Sequence, residues 1–328
     1  MLFWVNGNIM IKNDMGDKMD KGKQRTINIS NVDVQKIIRE IYSEIFSRFE
    51  EQYIIVFLCG GASSKQRKSL RDKVREKLEK NTVRYYGQFP FKIFYPEDLL
   101  IEVLNKTKDA DLLSYEQLMA NNSHVIVIIC ESAGALVELG AFTNNQYTVE
   151  KVIAAVDKKR AKDKSFIMLG PIKYLKKMDK LNVVEYSNDE KVFSVKLSKN
   201  IREKYSKQKM RKRISLSTIV GMHYFIQLLL YCFKTLTSKE LVDIIQYIAS
   251  EEKIEINDFN VIFNAALKLL FKDEKIVKIT AQKYSSYQLS KKGYYSMKKM
   301  ISDCTTTWVC DRIRVEIMYF DFYKSPHS

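Results

Sequence analysis

Glu138 is the side chain of this sequence best placed for covalent chemistry. It follows an unbroken apolar run, Val125 to Cys130, and an abrupt break at Glu131-Ser132-Ala133-Gly134, and it sits in the first turns of a helix-like segment. An apolar run of that kind reads as a buried strand, and open α/β sheets place reactive groups just past strand ends. Two other strand ends carry groups for the same spot, Cys59-Gly60-Gly61 and Tyr95-Pro96-Glu97-Asp98. Glycines at 60 and 61 let the backbone approach a ligand closely, and N–H groups there and at the Ser132–Gly134 helix start can hold ribose hydroxyls or a phosphate. Gly134 lies one turn before Glu138, so nothing bulky covers that side of the carboxylate. Such a carboxylate can trap an oxocarbenium-like centre at an anomeric carbon and form a covalent glycosyl intermediate. The catalytic candidates are therefore Glu138, with Glu131 or Asp98 as a second acid. The substrate-binding candidates are Cys59, Gly60, Gly61, Tyr95, Ser132, Gly134 and Asn144. The same residues also have plainer uses: Glu138 as a surface helix carboxylate, Asp98 as a helix N-cap, Glu131 as a charge favouring the adjacent helix N-terminus, and the glycines as turn residues.

The elements that must position these groups alternate between strand and helix. YIIVFLC (53–59), FKIFY (91–95), HVIVIIC (124–130), VIAAV (152–156) and VVEY (183–186) read as strands. Between them lie a basic helix with Leu70, Val74 and Leu78 one turn apart, a short helix opened by a Ser114/Gln117 capping box, the Glu138 helix, and a helix with Pro171 at its first position. Gly140 and Ala141 are expected to allow tight helix–sheet packing. Continuous apolar strands separated by helices predict an α/β fold with a parallel sheet covered on both faces, in a flavodoxin-like order. Ahead of it, residues 33–50 form a helix with one broad apolar stripe, capped by Asn31 or Asp33.

The chain has 328 residues, a formal net charge of +16 and a 46% hydrophobic share. That length holds two ordinary domains, and the charge predicts a polyanionic partner, nucleic acid foremost. The basic stretch 196–213 carries nine basic residues and one acidic one, and reads as a solvated helical linker or a phosphate-binding arm. Five cysteines with no CxxC pair fit a reduced, cytoplasmic protein, and three histidines leave no His/Cys cluster for a metal. The apolar start, MLFWVNGNIMI, is a poor signal peptide, no run is long enough to span a bilayer, and residues 1–30 are expected to be poorly ordered.

From 215 a second module begins. Helices over 215–234, after a Thr237 or Ser238 cap, and after an Asp258 cap are followed by IVKIT and SYQLS around a polar loop, with Gly293 ending the hairpin. Three helices plus a hairpin make a winged helix-turn-helix pattern. The candidate nucleic-acid contacts are Lys207, Lys209, Arg211, Lys212 and Arg213 on the arm, Lys268 and Lys272 on the third helix, and Lys283 on the wing. No Arg/Asn set for base reading stands out, so backbone binding is expected. The expected division is a poorly ordered 1–30, an enzymatic domain 31–195, a basic linker 196–214 and a winged-helix domain 215–328.

FLCGG (57–61), FYPEDL (94–99), ESAGALVELGAFTNN (131–145) and SFIMLGPIKYL (165–175), followed by a winged helix, closely resemble retron effector proteins. These are toxin components of bacterial anti-phage retrons that join a nucleoside-deoxyribosyltransferase-like domain to a winged-helix DNA-binding domain. The resemblance covers most of residues 50–322. It implies an N-glycosidase acting on nucleotides, with NAD as the favoured substrate and no cofactor. It also implies a complex with the retron reverse transcriptase and its multicopy single-stranded DNA/RNA hybrid, a higher-order assembly, and the ELGAF glutamate, Glu138, as nucleophile. The wider deoxyribosyltransferase family commonly shows an acidic residue and a Gly-Thr pair shortly before that glutamate. Here the stretch reads Ser132-Ala133-Gly134-Ala135, which favours hydrolysis over base exchange. Two other readings remain open at this stage: a transferase or hydrolase of free nucleosides or nucleotides, and a non-enzymatic DNA-binding nucleotide sensor.

Overall fold

The computed structural model describes residues 3–5, 8–10, 27–80, 89–95, 118, 122–187, 189–207, 213–281, 284–304 and 307–319. Most of the N-terminal 30 residues, the Ser114/Gln117 capping box, Glu97, Asp98, Lys209, Arg211, Lys212 and Lys283 lie outside them. Two short strands, β1 (Phe3–Val5) and β2 (Asn8–Met10), pair antiparallel.

A five-stranded, all-parallel sheet follows: β3 (Ile54–Cys59), β4 (Phe91–Phe94), β5 (Val125–Ile129), β6 (Val152–Asp157) and β7 (Val183–Tyr186). Its order is β4-β3-β5-β6-β7, with Val56 opposite Val125 and Phe57 opposite Phe94. The two-residue period sorts each strand between two cores. Ile55, Phe57 and Cys59 face one core, while Ile54, Val56 and Leu58 face the other; β5 divides likewise, with Ile126 and Ile128 against Val125, Val127 and Ile129. Both faces being covered explains why these strands read as continuous apolar runs.

One face is covered by α2 (Leu70–Lys80), through Val74 and Leu78, and by α5 (Glu190–Lys207), through Phe193, Leu197 and Ile201. The basic stretch from 196 is therefore no solvated linker over its first half, because an apolar stripe docks it on the sheet. Lys204 is buried there and hydrogen-bonds Asn182. The other face carries α3 (Ala133–Asn144), through Ala135, Leu139 and Phe142, and α4 (Lys173–Met178) through Leu175. Pro171 is not the first residue of that last helix. It lies inside a widened turn, Met168–Ile172, that runs into α4, since proline offers no N–H to the helical ladder. Gly140 does not serve close packing either: a Cβ there would meet nothing within 4 Å.

The C-terminal half begins with α6 (Ile219–Phe233), an almost wholly buried helix. Strand β8 (Thr235–Thr237), helices α7 (Ser238–Glu251) and α8 (Phe259–Lys272), then β9 (Ile276–Ala281) and β10 (Tyr284–Leu289) follow. The three strands form an antiparallel sheet in the order β8-β10-β9. Thr237 supplies the cap of α7 in a full capping box with Glu240. Asp258 occupies the cap position of α8 without a side-chain bond. Gly293 does not end the hairpin. It lies in the first turn of α9 (Lys291–Cys304), which is followed by α10 (Thr307–Tyr319).

Helix α1 (Val32–Glu40), capped by Asn31, continues through a widened turn at Ile41–Ile45 and packs on the C-terminal helices. Phe46 meets Phe225 edge-on at 4.9 Å, Arg39 donates to the Tyr247 hydroxyl at 2.7 Å, and Arg312 pairs with Glu40 at 2.8 Å. The core on the α3 face of the sheet is continuous with this helical core. Among the described residues no helix is long and apolar enough to cross a membrane.

Two close backbone crossings hold the C-terminal half. A Cβ on Gly221 would fall 1.7 Å from the Ser215 carbonyl oxygen, and one on Gly293 would fall 2.0 Å from that of Lys275. Gly221→Ala and Gly293→Ala should each destabilise the protein by about 3 kcal/mol, since backbone must shift to admit the methyl group. Gly134→Ala, with open space around it, should be neutral or gain up to about 1 kcal/mol from helix propensity. Urea unfolding of the three variants measures the contrast.

Candidate active site

The strand order reverses between β3 and β5: β4 lies on one side of that pair, and β6 and β7 lie on the other. A crevice opens at such a point because the connections leave in opposite directions. The ends of β3 and β5 meet there, and the Gly61 N–H donates to Glu131 Oε1 at 3.2 Å. Gly60 has φ +156°, a conformation that L side chains rarely adopt, and a Cβ on it would press on Arg71 Cβ and Ile129 Cβ at 3.2 and 3.3 Å. Gly60 is thus required by the close approach of α2 and β5, whereas a Cβ on Gly61 would make only ordinary contact with Glu131 at 3.4 Å. Cys59 is buried in the strand, with no face toward the crevice.

Glu131 leans away from the helix that follows it. Its carboxylate accepts from the backbone N–H groups of Gly61 and Arg71, the latter in the first turn of α2. The positive end of α2 is therefore the one it satisfies. Burial pushes its carboxyl above the ordinary range, against the pull of those two N–H donors and of the Arg71 and Arg67 charges. Ser132 is the N-cap of α3, its hydroxyl accepting from Ala135 N–H at 3.2 Å. Glu138 is half-buried on the flank of α3, one turn after Gly134, and a Cβ on Gly134 would meet nothing within 4 Å. The carboxylate is thus neither sealed in the core nor fully turned out to solvent. Asn144 closes the helix, six residues on and about 120° around its axis from Glu138, on another face.

Tyr95 ends β4, with its ring gripped by two guanidiniums, Arg71 at 4.2 Å and Arg75 at 4.4 Å. Its hydroxyl donates to Asp72 Oδ1 at 2.6 Å. Burial raises the Asp72 carboxyl, but the Ser63 and Tyr95 hydroxyls and the Arg71 charge outweigh it and hold the group below the usual carboxylate range. Burial and the Asp72 acceptor push the Tyr95 phenol up. Tyr95 is a neutral strut that fixes the first turn of α2 against β4. Sequence reasoning missed Arg71, Asp72 and Ser63, whose signal was the Ser/Arg-rich run GASSKQRKSLRDKVR directly after the diglycine.

Of the candidate nucleic-acid contacts, Lys207 pairs with Asp179, and Arg213 forms a backbone bridge with Glu50. Lys268 and Lys272 share an outward stripe of α8 with Asn260 and Asn264, two further polar side chains at four-residue spacing that the sequence reading passed over. Among the described residues no cluster of His, Cys, Asp and Glu could hold a metal ion.

A carboxyl whose folded-state pKa is raised stabilises the fold while protonated, and that contribution is lost as pH rises from the unfolded value of about 4.3 through the folded one. Wild type should therefore lose stability relative to Glu131→Gln across that window and hold a constant difference above it. Thermal melts of both proteins from acid to neutral pH measure this; a difference independent of pH would deny that partial desolvation raises the Glu131 carboxyl.

The chain matches a family model described as STM3845 retron effector protein over residues 67–278. It is 29% identical over 296 residues to the Escherichia coli protein named "Retron Ec86 putative ribosyltransferase/DNA-binding protein", covering 88% of this chain and 91% of that relative. A second Escherichia coli protein, "Retron Ec73 putative ribosyltransferase/DNA-binding protein", is 28% identical over 153 residues, 45% of this chain and 46% of the relative. The family match takes in β4, the diglycine partner β5, all of α3 with Glu138, and the C-terminal helices through α8. On that breadth of match, the chain belongs to the STM3845 retron effector protein family.

Proposed function

We propose that this retron effector is an N-glycosidase that hydrolyses the glycosidic bond of a nucleotide, NAD foremost, with Glu138 as nucleophile. The observation that carries this reading is the meeting of the Gly60–Gly61 turn, Glu131 and the start of α3 at the strand-order reversal, with the half-buried Glu138 one turn beyond an open Gly134. The relatives' names, which pair a ribosyltransferase with DNA binding, agree with it. The parallel order β4-β3-β5-β6-β7, a 2-1-3-4-5 sequence, supports a flavodoxin-like reading in which ligands bind at that reversal.

In the mechanism, a Glu138 carboxylate oxygen attacks C1′ of the nicotinamide riboside moiety. The C1′–N bond breaks and its electron pair passes to the ring nitrogen, so that nicotinamide leaves neutral without needing an acid. A water oxygen then attacks C1′, the ester to Glu138 opens, and the water proton passes to Glu131 or Asp98. Glu131 suits that task because two backbone N–H groups fix its carboxylate while burial raises its proton affinity. The backbone around Gly60, Gly61 and Ser132 holds the sugar hydroxyls or phosphate, and no metal or cofactor takes part.

The element order of the C-terminal half, α6 to α8 with an antiparallel β8-β10-β9 sheet, supports a winged-helix reading. Half of α8 is buried, so the helix that would enter a groove offers only the stripe Asn260, Asn264, Lys268 and Lys272. That favours phosphate contacts over base reading. In this reading the enzymatic unit spans 31–195 and the winged helix 215–328, with α1 lent to the second unit by its packing. The partners are the retron reverse transcriptase and its multicopy single-stranded DNA/RNA hybrid, within a cytoplasmic, higher-order assembly that restrains toxicity.

Glu138→Gln should lower base release from NAD by about 10³-fold or more, abolish toxicity in cells, and leave the melting temperature unchanged. Chromatography of wild-type reactions with NAD, dATP and deoxynucleosides identifies the substrate by the base released. Release from a deoxynucleoside but not from NAD would shift the substrate to free nucleosides. Full activity of Glu138→Gln would remove the assignment.

A further inference from the structure

A cavity of about 310 Å³ lies where the edge strand β4 faces the corner between α8 and β9. This volume is at the lower end of small-ligand sites. Five cationic side chains line it, Arg75, Lys92, Lys272, Lys275 and Lys292, against two carboxylates. Both carboxylates are already engaged: Glu79 holds Arg75 at 2.9 Å, and Asp273 holds Lys92 at 2.5 Å across the boundary between the two halves of the chain. At the rim, Glu274 holds Lys292 at 3.2 Å.

Lys275 differs from the others. It is only 9% exposed, and among the described residues its ammonium has neither a hydrogen-bond acceptor nor an ion-pair partner. Its ammonium stands 5.7 Å from the centre of the Tyr224 ring. Burial first, then the Lys92 charge, pulls its pKa down to about 8. Behind it, His223 is 2% exposed and has no hydrogen-bond partner among the described residues; Asp273 stands 3.7 Å from its Nε2. The Asp273 carboxylate pulls on Lys275 as well, but it is already engaged by Lys92, so this buried cation is only partly compensated, and such groups persist where something else satisfies them.

We propose that this cleft is an anion site that takes one phosphodiester of a single-stranded nucleic acid, with Lys275 as the contacting cation. The proposal rests on the nucleic-acid-binding half of the function given above and is independent of the glycosidase half. A strand fits better than an isolated phosphate because the basic track continues out of the cavity, from Lys272 to Lys268 along α8. A single strand also suits the cleft better than a duplex, because its flexible backbone can bend in to reach Lys275, which is only 9% exposed. The strand would lie against both β4 and the α8–β9 corner, so its phosphate would join the Lys92–Asp273 pair in fastening the two halves together.

The test uses the full-length protein, labelled oligo-dT and fluorescence anisotropy across a salt series. Lys275→Met should melt at or above the wild-type temperature, because it removes a buried unpartnered charge. It should also bind oligo-dT about 5- to 10-fold more weakly at moderate salt, with the slope of log K against log salt reduced by about one. Lys275→Arg should retain binding. If Lys275→Met does not fold, Lys292→Gln at the exposed rim should still flatten the salt slope. Unchanged affinity and slope in folded Lys275→Met would overturn the cleft while leaving nucleic-acid binding elsewhere intact. Absence of oligo-dT binding by wild type would remove both the cleft and the reading it rests on. Competition by thymidine monophosphate equal to that by oligo-dT, phosphate for phosphate, would assign the cavity to a free nucleotide and also overturn the proposal.

Discussion

The short backbone bond from Gly61 to Glu131 joins the ends of two parallel strands at the one place where the sheet's connections diverge. Much else at the carboxyl edge depends on it. To make that bond, β3 must turn away at Gly60 in a conformation that a side chain would forbid, with Arg71 and Ile129 close on either side. The turn in turn aims the N-terminus of α2 at Glu131, so a strand-end carboxylate is satisfied by a helix on the opposite face of the sheet from its own. Tyr95, clamped between Arg71 and Arg75 and tied to Asp72, locks that helix start to β4. Three strand ends are thereby held by a few polar contacts around a site that α3 leaves open.

The sheet was legible because its strands are buried on both faces. IIVFLC and VIVII carry no polar interruption, so their identity needs only local composition. The glutamate on α3 was legible for the same reason, since a buried strand followed by a capping Ser132 fixes where the helix starts. The partner of Glu131 was not legible. Its two N–H donors lie 60 to 70 residues earlier in the chain, and a carboxylate beside a helix start gives no hint that it serves a different helix. Pro171 misled because proline at a helix's first position and proline inside a widened turn share one local signature. The basic stretch from 196 misled through its charge: four lysines and arginines before Ser206 mask the Phe193, Leu197 and Ile201 stripe that docks α5.

Helix α1 shows the limit of reading domains along the chain. Its apolar stripe was plain, but the surface it covers is made by residues about 200 positions later. Phe46 against Phe225, Arg39 against Tyr247, and Arg312 against Glu40 join the N-terminal helix to the C-terminal half. The sheet then inserts between two segments of what is otherwise one helical unit. The crossing at Glu50 and Arg213, where the chain leaves and re-enters that unit, is a backbone bridge beside the hydrogen bond from Ile214 to Phe49. Two covalent connections running side by side restrict the relative movement of the halves more than one linker would.

That arrangement constrains how the two halves of the chain can move against each other. The core on the α3 face runs without interruption from Phe57 and Phe142 into Phe46, Phe225 and the helices around them. A large rotation of the C-terminal half would open this core and expose several aromatic side chains, at roughly 1.5 to 3 kcal/mol for each one uncovered. Polar contacts at the margin are cheaper to rearrange. Lys92 lies on the edge strand, one residue from Phe91 and three from the Tyr95 strut, and its pair with Asp273 is the polar tie from that strand to the α8–β9 corner. Since Tyr95 orders the start of α2, and α2 holds Glu131, a shift at Lys92 has a short and continuous route to the diglycine turn. The polar contacts along β4 are therefore the part of the boundary between the two halves that yields most economically, with the apolar core acting as the fixed frame.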